Sequence, residues 1–376
     1  MVKNISPFKF GQIVDEKSFT NRTTEVSLLD NQLFSGNHLV IISPRRYGKS
    51  SLVQQFISRN KQNPDVIHCT IDLFSIHSEI EFYETFAREL IKSSSNKFEE
   101  WLKNAKTFFR HLVPRISIGT DPINDFSVSF DLKEVAKNKS DILNLPEEIA
   151  EKKQKKIIIY LDEFQNIGTF KNNHDFQKDL RSVWQNHRNV SYCFYGSKRH
   201  MMRDIFDKPE APFYRFGTIY ILDRIQTGDW VKFIINNFKE TNKTITEELA
   251  VKISDLMENH PHYVQQLAHF TWSFTEKDVS SDIVDRALEF MINSNSPFFI
   301  KVVDDLSNTQ INLLKAIINN EKQLTSNNTM NEYHLGTPRN VQKNKISLEN
   351  KDIIDITPEE IRFIDPLFKI WFKKIY

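Results

Sequence analysis

The sequence predicts an α/β protein: a doubly wound parallel sheet comes first, then a small helical domain and a compact C-terminal domain. Three observations carry that prediction. Short runs that are apolar on both faces recur at 38–42, 66–72, 157–161 and 190–195, with a fifth at 218–222, as in the strands of a covered parallel sheet. Helical patterns lie between them, at 50–59, 79–93 and 176–187, the last with Phe176, Leu180, Val183 and Trp184 at helical spacing. From about residue 227 the strand pattern gives way to helices alone.

The stretch from about 95 to 145 breaks the alternation and reads as an insertion holding a hairpin, 115–119 with 126–131. Candidate helices at 230–238, 246–259, 263–275 and 281–293 form the helical domain, with a stop at His260-Pro261. Helices at 309–319 and 337–350, with a polar, Asn-rich stretch between them, precede a short strand pair near Ile353 and Ile361, the order of a winged helix. The expected division is 1–226 for the sheet domain, 227–300 for the helical domain and 301–376 for the winged helix.

At 376 residues, with 39% apolar and 26% charged side chains, the chain has the makings of a buried core and is neither disordered nor collagen-like. Fifty basic against 49 acidic residues leave +1, so no global field draws it to nucleic acid or anionic lipid. Cys69 and Cys193 sit in strand-like apolar runs and read as buried reduced thiols. No window approaches the 18 apolar residues of a membrane span, so the expected protein is soluble and cytoplasmic, without a membrane partner.

The chemistry concentrates in two motifs. Ser43, Pro44, Arg45, Arg46, Tyr47, Gly48, Lys49, Ser50 and Ser51 follow an apolar strand and open a helix, the setting of a phosphate-binding loop. Backbone N–H groups and the helix N-terminus would hold phosphates there, Lys49 would add a point charge, and the Ser50 hydroxyl would ligate Mg2+. The usual first glycine of the pattern is Ser43 here. The strand 155–161 delivers Asp162 and Glu163 at its C-terminal end, where ligands of open α/β sheets bind. Asp162 would hold Mg2+ directly or through water, and Glu163 would activate the water that attacks the γ-phosphate of ATP. Ser197, after the next strand, either touches the γ-phosphate or attacking water or caps the following helix. His200, His260 and His262 lack zinc-ligand spacing.

These motifs, with those at 19–25, 212–216 (Pro212, Phe213, Tyr214, Arg215, Phe216) and 365–371, make the chain resemble the archaeal-type prokaryotic ATPases, AAA+-like and STAND-related P-loop NTPases. The likeness spans nearly the whole chain, and that family tolerates serine at the first loop position. It implies Asn21 and Arg22 near adenine and ribose, Pro261 of a helical lid near the base, and a C-terminal winged helix. Arg215 resembles the position from which related ATPases offer an arginine to a phosphate, within the subunit or to a neighbour in a homo-oligomer; the other reading is a surface arginine before a strand. Some relatives carry a nuclease domain after the winged helix; with five residues beyond Trp371, none is expected here.

The expected function is therefore that of an ATPase that couples nucleotide state to conformational change. One reading has it acting on DNA or in defence, through Arg339, Asn340, Lys343 and Asn344 of a recognition helix. Residues 301–376 carry 11 basic and 10 acidic side chains, not a basic footprint. The alternative is a nucleotide-switched module that binds a partner protein without DNA.

Overall fold

The computed structural model describes residues 5–14, 19–94, 115–118, 126–129, 132–357 and 360–376, which fall into two compact units. One comprises Arg22–Arg45 and Lys49–Asp223; the other comprises Met1–Asn21, Arg46–Gly48 and Arg224–Tyr376.

The first unit is built on a five-stranded parallel sheet. Its strands are β1 (Leu39–Ile42), β2 (Val66–Asp72), β5 (Lys156–Asp162), β6 (Val190–Gly196) and β7 (Thr218–Ile221), in the spatial order β2-β5-β6-β1-β7. β1, β5 and β6 are continuous apolar runs because helices cover both of their faces. One face packs Val40, Ile42, Ile159 and Phe194 against α3 (Glu79–Ser93), α4 (Leu132–Lys153) and α5 (Asn173–Trp184). On the other, α1 (Thr23–Phe34) and α2 (Lys49–Asn60) close over the sheet: the Ser191 hydroxyl donates to the Leu33 carbonyl, and the rings of Phe56 and Tyr160 meet. β7 is an edge strand with Ile219 and Ile221 exposed, unlike the covered strand its composition suggests.

The hairpin read from sequence is present as β3 (Arg115–Ile118) antiparallel to β4 (Phe126–Ser129). The rest of the expected insertion, at 95–114, 119–125 and 130–131, lies outside the described residues. Its last residues belong to α4, which is kinked at Asn138, buries Ile142, Leu143, Leu145 and Ile149 beyond the kink and leads into β5. Pro146 hid this helix from the sequence reading, because a proline normally ends one.

The second unit holds α7 (Thr227–Glu240), α8 (Glu247–Leu256), α9 (Pro261–Phe274) and α10 (Ser281–Asp304). After them come α11 (Asn308–Ile318), α12 (Asn327–Glu332), α13 (Pro338–Asn350), the antiparallel pair β8 (Ile354–Ile356) and β9 (Ile361–Phe363), and α14 (Pro366–Ile375). A single apolar core runs from Trp230 through Met291 and Leu314 to Phe372. The expected boundary at residue 300 falls inside α10, which runs on through Pro297 where the sequence suggested a stop at Asn293. α12 was read as polar loop; the Ser326 hydroxyl caps it by accepting from Thr329 N–H. Cys69 and Cys193 are buried free thiols, as expected, and burial pushes Cys69 up to about 12 and Cys193 higher still. Among the described residues no helix is long and apolar enough to cross a membrane.

Candidate functional site

Strand order places the chemistry. From β1 the chain leads through α2 to β2 on one side; from β6 it leads through α6 (Arg199–Phe206) to β7 on the other. The crevice at such a reversal, at the C-terminal ends of the strands, is where open α/β sheets bind ligands. Register sets Ile42 beside Gly196 and Leu161 beside Phe194, so Ser43, Asp162, Glu163 and Ser197 all emerge at this one edge.

Lys49 opens α2 with its side chain 6% exposed. Its Nζ donates to the carbonyls of Ser43 and Pro44, each at 3.0 Å, and so bridges the base of its own loop. Burial lowers its pKa to about 8, against the opposing pull of Glu163 and Asp162. Ser50 Oγ donates to Asp162 Oδ2 at 3.1 Å. Burial, and then the Glu163 charge, push Asp162 up to about 6. A hydroxyl beside a carboxylate offers two hard oxygen ligands, which suits Mg2+, a cation that keeps waters and shares phosphate oxygens and needs no all-protein cage. Among the described residues no three His, Cys, Asp or Glu side chains gather as a metal site.

Glu163 stands in left-handed backbone, φ 50°, a conformation that costs a non-glycine residue about 1 kcal/mol or more. Its Oε2 accepts from the Ser197 hydroxyl at 2.9 Å, from Ser197 N–H at 3.3 Å and from Gln165 Nε2. Ser197 thus meets the acid itself, a contact neither sequence reading named; the cap position of α6 is Lys198 and has no side-chain cap. Gln165 had no role in the sequence analysis. It is 2% exposed and packs so tightly on β6 that a Cβ added at Gly196 would lie 2.0 Å from its Oε1. Arg199 was missed too. It is 7% exposed at the first turn of α6, close enough for its charge to help lower the Lys49 pKa. Its signal was its place two residues after Ser197.

Ser43 is fully buried and lies outside the positive-φ residues, so this position makes no demand for glycine. Gly48 does, with φ 89°. Ser51 is buried, whereas Arg45 is exposed. Arg22 precedes α1, its guanidinium held by Glu25 at 2.8 Å and by the Asp223 carbonyl at 2.7 Å. Arg215 is not brought to this edge. Thr218 N–H bonds the His38 carbonyl at the start of β1 and Leu222 N–H bonds the Ile42 carbonyl at its end, so Arg215 lies beyond the opposite edge. Strand rise puts roughly 13 Å between the two edges. Its guanidinium lies over the Tyr214 ring, 5.1 Å from the centroid.

In the second unit, the loop-tip residue Arg46 also has left-handed backbone, φ 65°, and the adjacent Tyr47 is buried with its ring 4.8 Å from that of His260. Pro261 is the first residue of α9, and Asn21 is exposed. Arg339, Asn340 and Lys343 are exposed on α13; Asn344 is half-buried.

A family profile described as an ATPase domain predominantly from Archaea matches residues 19–267, and one described as a "probable winged helix domain" matches 297–374. A search of curated proteins finds no match. Among solved structures the chain is similar to the Walker-type ATPase PABY2304 of Pyrococcus abyssi, with TM-score 0.66 at 15% identity over 95% of this chain and 97% of that one. It is also similar to the Aeropyrum pernix ORC2 protein in ADPNP–ADP complexes, with TM-score 0.57 at 14% identity over 98% of each chain.

Proposed function

Because the chain belongs to the family of ATPase domains found predominantly in Archaea, we propose that it binds ATP with Mg2+ at the C-terminal edge of its sheet and hydrolyses it. The observation that carries this reading is the meeting, at one sheet edge, of Lys49, the Ser50–Asp162 pair and the Ser197–Glu163 pair. The A. pernix protein of the same fold was solved with nucleotides, which supports the reading.

In this reading Lys49 exchanges its loop carbonyls for phosphate oxygens, and N–H groups at the start of α2 hold the same charge. Ser50 and Asp162 would hold Mg2+, which would supply positive charge to the phosphates. Glu163 accepts a proton from the attacking water, and Ser197 and Gln165 orient the carboxylate that does so. The exposed Arg339, Asn340 and Lys343 of α13 would meet duplex DNA. A second reading, a nucleotide-switched partner-binding module, is favoured by the ion pairs that occupy Lys369 with Glu258 and Lys374 with Glu289.

The test is Mg2+-dependent phosphate release by the purified full chain. Glu163→Gln should keep ATP affinity within about threefold and slow turnover about 10²–10⁴-fold. Unchanged turnover would move the base elsewhere. A salt-dependent mobility shift of duplex DNA decides between the two readings of the C-terminal region.

A further inference from the structure

Two adjacent residues of the phosphate loop lead, by separate side-chain paths, to one helix near the C-terminus. Arg46 donates to the Tyr263 hydroxyl at 3.1 Å, and that hydroxyl donates to Asp365 Oδ2. The other oxygen of Asp365 caps α14, accepting from Phe368 N–H at 2.9 Å. Beside it, the Tyr47 hydroxyl accepts from Arg224 Nε at 3.1 Å, Arg224 pairs with Glu258 at 2.9 Å, and Glu258 accepts from Lys369 at 2.6 Å. Asp365 and Lys369 are one turn apart, and every residue of both paths belongs to the second unit, with Arg46–Gly48.

The chemistry of the links makes them more than incidental. Tyr263, Arg224 and Glu258 are largely buried, and hydrogen bonds to charged groups in such surroundings are stronger than exposed ones. Arg46 is a non-glycine residue in left-handed backbone, which persists only where its surroundings hold it. The motif at 365–371, conspicuous in the sequence and without a catalytic task, supplies both ends.

We propose that Asp365 and Lys369 are positioning residues for ATP binding, acting through Tyr263 on Arg46 and through Glu258 and Arg224 on Tyr47, so that the α14 helix sets the shape of the phosphate loop. This rests on the reading of residues 43–50 as that loop. Linkage makes the effect reciprocal: ATP in the loop changes the protection of α14.

The experiment is a pair of double-mutant cycles on the full chain, read as ATP affinity and as turnover at saturating ATP. Asp365→Asn, which keeps shape and one acceptor, should weaken ATP binding about 3–10-fold, with saturated turnover little changed. In an Arg46→Ala background the same substitution should have no effect. Lys369→Gln should behave alike, its effect vanishing with Tyr47→Phe, and it serves if Asp365→Asn does not fold. Amide exchange across 365–375 should slow on adding ATP to the wild type. Equal losses in both backgrounds, no loss in either, or exchange indifferent to ATP would overturn the proposal. Wild-type protein that fails to bind ATP would instead overturn the loop assignment.

Discussion

The two edges of the parallel sheet are made from the same strands and treat polar groups in opposite ways. At the N-terminal edge, His38 and His187 are held neutral, burial lowering each to about 4, and each has a hydrogen bond to Tyr192. Glu147 there takes the backbone and side-chain N–H groups of Asn189. At the C-terminal edge buried Lys49 lies near the carboxylates of Asp162 and Glu163 and within reach of the charge of buried Arg199, and Glu163 is held in unfavourable backbone. The comparison teaches where this fold tolerates destabilisation: the buried histidines are neutral where the sheet only needs to close, and a buried ammonium is kept at the edge proposed to meet phosphate.

The largest effect that sharpens this contrast is expected from Lys49→Ala, which removes the cation facing the phosphates. ATP affinity measured by calorimetry should fall at least about 100-fold; unchanged affinity would erase the distinction between the edges.

Next is Asp162→Asn. A carboxyl raised to about 6 prefers its protonated form in the folded state, so stability falls as pH rises between about 4 and 6 and ionised Asp162 is a cost at pH 7. The amide should therefore raise the melting temperature at pH 7 by a few degrees, corresponding to about 1–3 kcal/mol, while Mg2+-dependent turnover is lost. A lower melting temperature would show the carboxylate to be structural.

Burial lowers the Lys49 ammonium to about 8, so ATP affinity should decline above that pH, up to about tenfold per unit, and the slope should be absent in Lys49→Ala. A flat wild-type profile between pH 7 and 9.5 would mean the lysine does not bear on phosphate.

The smallest effects compare two arginines directly. Arg199→Ala should weaken ATP about tenfold and ADP less, whereas Arg215→Ala should change ATP affinity under about twofold at dilute protein and stability by about 0.5 kcal/mol or less. Turnover that rises with protein concentration and is lost in Arg215→Ala would give Arg215 a role toward a neighbouring subunit.

The strands of the sheet could be read because burial on both faces leaves unbroken runs such as Ile157–Ile159, and the loop and acid pair because their chemistry needs fixed spacing. α4 and α10 were cut short in sequence because Pro146 and Pro297 are held inside helices by packing, which local propensity does not contain. Arg215 was left open in sequence between a phosphate contact and a surface place before a strand; a residue before a parallel strand stands at the opposite edge from a residue after one, which needs only Thr218–Ile221 as the strand. The packing of Gln165 on Gly196 and the paths to Asp365 and Lys369 join residues far apart in the chain, and a single sequence has no term for that.

The missing side chain at position 196 reaches beyond the strand that bears it. With Gln165 Oε1 where a Cβ would sit, alanine at 196 is incompatible with glutamine at 165 unless one of them moves. Among relatives of this chain the two positions should therefore change as a pair: glycine with a long amide, or a larger residue at 196 with a short one at 165. Such paired change would mark, in an alignment, the descendants that have altered how the carboxylate at 163 is held.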